Sequence, residues 1–450
     1  MQRRTKPLLM TGLLLAFAVA GVVYELAWTK APFIANDTAG YLRAASAIAH
    51  GATNPERPPG YPLLLLATGS TTGPTRLLFH VSLLFHAGSV LLIAAVLRSI
   101  GLRPSWIAAA CLVMLLPPYV QMAAWALTET LAAFCLALLF WSIHRYWQTS
   151  RLWFLTLASL AAGYAATTKP TFEFLAPALG VALAVLAFAM KPHGWNWKRI
   201  VRDAVWLAAG TIVIAGGRSA INYAKSGYFG QTSLLGYTLA GRTCMLWEQV
   251  PDPLVRGMLV EARRAAALRR ENLSWSVFTI QPELMKATGK TEEELGKYLE
   301  AMSVRLIRSY PEAYLEDGAR SFAEFWFPIS GGLPLMRSPL VRLVWYGLSW
   351  AVFCGFFASL AVAFGLVARA VVERAPPFGP VPPNLAAAWV AAASIVVYTA
   401  VISSAVAWGD PRFRAAVDLM LLATIAITAQ ILWRLRILRG SLPTSAEVPA

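Results

Sequence analysis

The chain has 450 residues, of which 57% are hydrophobic and 14% charged, with a mean hydropathy of +0.55. So few charges cannot cover a soluble globule of this length, and the same composition excludes disordered, collagen-like and disulfide-scaffold classes. The formal net charge of +16 would suit a nucleic-acid partner only if clustered on one exposed face. Here Lys and Arg fall between apolar segments, so the sequence reads as an all-α polytopic membrane protein with no nucleic-acid partner.

A spanning helix takes about 20 mostly apolar residues. Ten runs qualify in chain order: 8–28, 77–97, 104–120, 124–143, 152–168, 172–190, 203–220, 340–368, 385–407 and 415–433. The first follows Arg3, Arg4 and Lys6 and contains Ala18-Val19-Ala20, which has the form of a signal-peptide cleavage site. Its apolar stretch continues to Trp28, so it is read as an uncleaved helix; either reading places residue 37 outside. With the N-terminus inside, inner segments hold sixteen Lys and Arg and the short outer ones seven, which satisfies the positive-inside rule. The expected organisation is a membrane module at 1–220 with an outer loop at 29–76, an extracytoplasmic helical insertion at 221–339, membrane helices at 340–433 and an inner tail at 434–450. In the insertion, Thr291-Glu292-Glu293-Glu294 is a capping box. Leu295, Tyr298, Leu299, Met302 and Leu306 then follow helical spacing, and Pro311 restarts a helix to about Trp326.

Polar residues beside apolar runs carry the functional information in such a chain. They fall at the outer ends of the spans. Asp37, in Asn36-Asp37-Thr38-Ala39-Gly40-Tyr41, reads either as a helix N-cap or as a site residue sharing a face with Tyr41. Arg57, in Glu56-Arg57-Pro58-Pro59-Gly60-Tyr61-Pro62, is either an interfacial anchor or a bidentate phosphate ligand, with Tyr61 beside it. Glu129 opens the fourth span, and a carboxylate at a helix centre costs about 2.5–3.5 kcal/mol on insertion scales, less near the ends, so it should face a cavity or a cation. Lys169 marks the turn between spans five and six and Arg218 the end of the seventh. Asp410-Pro411-Arg412-Phe413-Arg414 precedes the tenth. Together they place two carboxylates and several cations around one external cavity, which suits a reaction with an anionic leaving group. Neither the five histidines nor the four cysteines show metal-ligand spacing.

In these motifs and their order, the chain resembles the GT-C glycosyltransferases, which use polyprenyl-phosphate-linked sugars. The branch most similar holds the protein O-mannosyltransferases and lipid A aminoarabinose transferases. The resemblance rests on Asp37-x-x-x-Tyr41, Arg57-Pro58-Pro59-Gly60-Tyr61-Pro62, Thr128-Glu129, Lys169-Pro170-Thr171, Arg218 to Tyr223 and Asp410 to Arg414. It implies that Asp37 and Glu129 are catalytic, with Asp37 the base. Arg57, Lys169, Arg218 and Arg412 would bind the donor phosphate, while Tyr41, Tyr61 and Arg414 would position substrate. Thr38 stands where many relatives have Glu, which weakens the case for a metal; a divalent cation is compatible with the pattern and not required by it. The implied partners are a polyprenyl-phosphate sugar, a lipid or glycan acceptor and membrane lipids. The implied activity is inverting sugar transfer at the outer face of the plasma membrane, to lipopolysaccharide or another envelope glycan in preference to protein.

Two other classes compete. A transporter or lipid flippase would also carry intramembrane charge, but its charges should reach the midplane, and the sequence has no internal repeat of the kind that organises secondary transporters. A non-catalytic envelope assembly subunit would use 221–339 to bind a partner and would tolerate replacement of Asp37.

Overall fold

The computed structural model describes residues 32–52, 54, 56–192, 194–329, 338–374, 378 and 381–440, with side chains to 436. The first expected span, 8–28, lies outside the described residues. The outer loop holds two short helices, α1 (Thr38–Ala49) and α2 (Gly60–Ala67). The membrane helices begin with α3 (Arg76–Ser99), capped by Thr75 Oγ1, which accepts from the Leu78 amide. Next comes α4 (Pro104–Met114), bent by 61° from the short helical turn Pro117–Ala124, so the single run expected at 104–120 is broken. Pro117 and Pro118 explain the break, because proline lacks the amide and clashes with the preceding turn.

The chain continues through α5 (Glu129–Thr149), α6 (Leu152–Thr168) and α7 (Leu175–Met190). Helix α8 runs from Trp197 through a π-turn at Ile212–Gly216 to Ser226. The insertion between α8 and the last membrane helices holds α9 (Leu234–Arg242), α10 (Pro253–Leu268), α11 (Gln281–Thr288), α12 (Glu292–Ser309) and α13 (Pro311–Phe325). The last membrane helices are α14 (Pro339–Glu373), α15 (Pro383–Val406) and α16 (Asp418–Gly440). Among the described residues, six helices are long and apolar enough to cross a membrane, or seven if the bent pair is one span. Helix α6 is a shorter apolar helix, and α5 carries Glu129 at one end and His144 and Arg145 at the other. Nine of the ten expected runs thus fall on helices, and the described residues do not confirm the ten-span count. At 35 residues, α14 is about 52 Å long, so it must tilt or leave the bilayer.

Helices α5 and α15 form the centre of the bundle. Helix α5 packs on α3, α6 and α15, and α15 also packs on α7 and α16. Their fully buried Leu136, Phe140, Ala392, Ile395 and Val396 belong to one continuous core. The insertion has its own apolar cluster, in which Tyr237, Trp247, Leu259, Leu284, Leu295 and Leu299 are buried. Thr291 and Glu294 form the expected capping box at the head of α12. Arg242 ties the insertion to the membrane bundle: it pairs with Asp317 and donates from Nε to the Ser404 carbonyl at 2.8 Å.

Candidate active site

Helices α5 and α6 form an antiparallel pair, so the start of one and the end of the other lie at the same end of the bundle. That geometry brings Glu129 and Lys169 together: Lys169 Nζ donates to Glu129 Oε1 at 3.3 Å, both side chains being almost fully buried. The outer loop is then fastened over them by backbone pairing. The Phe33 amide donates to the Ala124 carbonyl (2.7 Å), and the Ala126 amide donates to the Phe33 carbonyl (3.0 Å). These bonds make an isolated parallel bridge between Phe33 and Trp125. Buried Thr38 adds a cross-tie, its Oγ1 accepting from the Ala35 amide (2.9 Å) and donating to the Ala126 carbonyl (3.0 Å). Nothing in the local sequence pattern signals this tie.

Asp37 thereby reaches the end of α5. It precedes α1 in helical conformation (φ −72°, ψ −22°) and its side chain makes no capping hydrogen bond; a capping residue normally has extended backbone angles. Its carboxylate instead accepts from Arg57 Nη2 through Oδ1 at 3.1 Å and from Arg412 Nη2 through Oδ2 at 2.6 Å. Arg412 Nε lies 3.5 Å from Glu129 Oε1. The result is an alternating row of charges, Arg57–Asp37–Arg412–Glu129–Lys169, contributed by five separate parts of the chain.

The surroundings hold the row in place. The Arg57 guanidinium stacks over the Tyr41 ring at 4.8 Å, and Tyr61 meets Tyr41 edge-on at 5.2 Å. Lys169 Nζ sits 4.7 Å from the Phe413 ring. Gly60 fixes the proline turn against α6, with the Tyr164 hydroxyl donating to its carbonyl at 2.9 Å. A Cβ on Gly60 would stand 2.6 Å from Thr168 Oγ1 and 2.7 Å from the Thr167 carbonyl oxygen, so only glycine fits without a shift. Glu56 pairs with Arg43 through two 2.9 Å contacts.

Two residues expected in the cavity sit elsewhere. Arg218 donates to the Asn54 carbonyl at 2.9 Å and so supports the loop that carries Arg57. Arg414 is 1% exposed and points into the core. It donates to the Phe325 and Phe327 carbonyls (2.5 and 2.8 Å) and to Asp418 (2.8 Å), and stacks over Phe353 at 4.4 Å. Two residues apart on a helix means about 200° of rotation, so Arg412 and Arg414 face opposite ways.

The electrostatics follow from this pairing. Burial would raise the Asp37 carboxyl, but the Arg412 and Arg57 guanidiniums outweigh it and hold the group below its ordinary value. Burial pushes the Tyr41 phenol up to about 12. The residues do not fit a divalent cation in this arrangement: Asp37 and Glu129 are both committed to cations, and no group of three His, Cys, Asp or Glu side chains among the described residues could hold one. What the row can do is receive negative charge: Arg57 Nε and Arg412 Nε are buried and make no hydrogen bond, each having an ion-pair contact instead, to Glu56 Oε1 at 3.6 Å and to Glu129 Oε1 at 3.5 Å.

No protein-family model and no curated protein matches the sequence. Solved structures do match the fold. The archaeal oligosaccharyltransferase AglB from Archaeoglobus fulgidus, in complex with an inhibitory peptide and a dolichol-phosphate, superposes with a TM-score of 0.51 at 14% identity, covering 100% of this chain and 53% of that one. The Archaeoglobus fulgidus oligosaccharyltransferase tethered to an acceptor peptide containing the NVT sequon gives a TM-score of 0.50 at 14% identity, covering 97% and 51%. ArnT from Cupriavidus metallidurans bound to undecaprenyl phosphate aligns over 94% of this chain and 78% of its own at 16% identity, with a TM-score of only 0.39. The chain therefore shares its fold with the Archaeoglobus fulgidus oligosaccharyltransferase, and its apolar helices make it a multi-pass membrane protein. It spans about half the length of the oligosaccharyltransferase it matches.

Proposed function

We propose that this protein is a membrane glycosyltransferase that moves a sugar from a polyprenyl-phosphate donor to an acceptor hydroxyl at the outer face of the plasma membrane. The observation that carries the reading is the buried row Arg57–Asp37–Arg412–Glu129–Lys169. Its place on a fold shared with an oligosaccharyltransferase captured with dolichol-phosphate supports the choice of donor. In the proposed step the acceptor O–H gives its proton to Asp37 as the oxygen bonds to the anomeric carbon. The bond from that carbon to the phosphate oxygen breaks, and its electron pair leaves on the phosphate. Arg57, Arg412 and Lys169 stabilise the departing charge, and the base contributes about 10²–10⁴-fold. A single displacement inverts the anomeric centre.

The insertion at 221–339 and the adjacent membrane face are the proposed acceptor surface, and a lipid, lipopolysaccharide or other envelope glycan suits a cavity so close to the bilayer better than a protein does. Arg218 is assigned to holding the donor-side loop, and Tyr41 and Tyr61 to positioning. The test is turnover. Wild type and Asp37→Asn are reconstituted with membrane lipid extract, and consumption of labelled polyprenyl-phosphate sugars is followed. Consumption by wild type and its loss in a folded Asp37→Asn are expected. Equal turnover by the variant removes Asp37 from the chemistry, and inactivity of wild type with every donor refutes the transferase reading.

A further inference from the structure

We propose that Asp37 and the donor phosphate are alternative partners of the same two guanidiniums: before binding, Asp37 holds Arg57 and Arg412, and the phosphate takes its place. The inference rests on the donor assigned above and concerns how that site is switched on.

Each Asp37 oxygen is used by a different arginine, at 3.1 Å and 2.6 Å. A carboxylate so bound is a weak base, because both its oxygens already accept charge-assisted hydrogen bonds. Each arginine also has a second holder that would remain if Asp37 let go. Arg57 lies over the Tyr41 ring, with Glu56 Oε1 at 3.6 Å from its Nε. Arg412 has Glu129 at 3.5 Å and the Phe413 ring at 5.7 Å. Glu129 is the deeper of the two carboxylates and is itself fixed by Lys169, so it anchors Arg412 while Asp37 is the exchangeable one. The two buried Nε donors reach these carboxylates only at ion-pair distance, 3.6 and 3.5 Å, and make no hydrogen bond, so the pair has donor capacity for an anion with more acceptor oxygens than Asp37 supplies. A phosphodiester donor adds two ester oxygens to its two non-bridging ones, and the polyprenyl phosphate it releases has three non-bridging oxygens.

The exchange sets an order of events. Donor binding frees Asp37, so the base exists only when a leaving group is in place. After transfer, the proton that Asp37 took from the acceptor passes to solvent. The renewed carboxylate then competes for the arginines and favours departure of the polyprenyl phosphate.

The test measures binding of farnesyl phosphate to purified protein in nanodiscs, with farnesol as the uncharged control. Removing the competing charge in Asp37→Asn should tighten farnesyl phosphate binding by about ten- to a hundredfold, the range expected for freeing charged hydrogen-bond donors, while Asp37→Glu binds as wild type does. Unchanged or weaker binding by an Asp37→Asn that still unfolds in a single cooperative transition overturns the exchange and leaves the donor reading standing. Should Asp37→Asn fail to fold, wild type alone decides: carbodiimide labelling of Asp37, read by mass spectrometry, should rise several-fold when farnesyl phosphate binds. Unchanged labelling in the bound state overturns the exchange. Absence of any farnesyl phosphate binding by wild type overturns the donor assignment and the exchange together.

Discussion

Thr38 gives the sharpest check on how the site is held. Its hydroxyl accepts from the Ala35 amide at 2.9 Å and donates to the Ala126 carbonyl at 3.0 Å, and the residue is fully buried. Thr38→Val keeps the shape and deletes both bonds. An orphaned buried polar group costs about 1–3 kcal/mol; the Ala35 amide is only partly buried, so the two losses together should come to about 2–4 kcal/mol. Position matters more than that sum, because Asp37 is the preceding residue and Glu129 lies three residues beyond Ala126. Slackening the tie moves the two carboxylates that share Arg412, and a misplacement of about 1 Å can cost about 10²-fold in rate. Thermal unfolding should therefore shift down and donor consumption should fall by about ten- to a hundredfold. Farnesyl phosphate binding should suffer less, since Arg57 and Lys169 are held by other elements. Thr38→Ser restores the hydroxyl and should recover most of both. Wild-type stability and turnover in Thr38→Val, or a Thr38→Ser as impaired as Thr38→Val, would refute the reasoning.

Gly60→Ala should destabilise the protein by about 1–3 kcal/mol through overpacking against Thr167 and Thr168. It should also weaken farnesyl phosphate binding, because the turn carrying Arg57 must shift; both are read by thermal unfolding and titration. Arg414→Gln should lower stability by about 3–5 kcal/mol, since it strands buried Asp418, and a variant with full stability but a raised KM would instead return Arg414 to the cavity. The stability contributed by Asp37 follows from its depressed pKa: it is fully present above the unfolded-state value of about 3.9 and is lost as pH falls through the lower folded value. The difference in melting temperature between wild type and Asp37→Asn should thus stay flat from about pH 5 to about pH 8 and close only below about pH 4. Closure near pH 6 would show that the arginines do not hold the carboxylate.

The helices were legible in the sequence wherever one local rule decided them. Apolar runs of sufficient length gave α3, α7, α14 and α15 to within a few residues, and Thr291 with Glu294 gave the head of α12. The failures are equally local. The run at 104–120 reads as one straight helix because its hydropathy is continuous, whereas Pro117 and Pro118 bend it by 61°; backbone chemistry overrides composition there. The π-turn at Ile212–Gly216 ends at the pair Gly216-Gly217, poor helix formers that a hydropathy reading passes over.

The candidate site divides in the same way. That the polar residues share one membrane level follows from topology, because alternate helix ends must meet at one face of the bundle, and counting spans is enough to find Asp37, Glu129, Lys169 and Arg412. Which of them pair does not follow, since Arg412 and Asp37 are 375 residues apart and their contact depends on an isolated bridge at Phe33 that leaves no periodic trace. Membrane level is also not the same as direction. Arg412 and Arg414 stand at one depth, yet the short helix Pro411–Ala415 turns one toward Asp37 and the other toward Asp418. A charge at the right depth is therefore a candidate until its helical phase is known. In this site phase separates the arginine that faces Asp37 from the one that holds the core together.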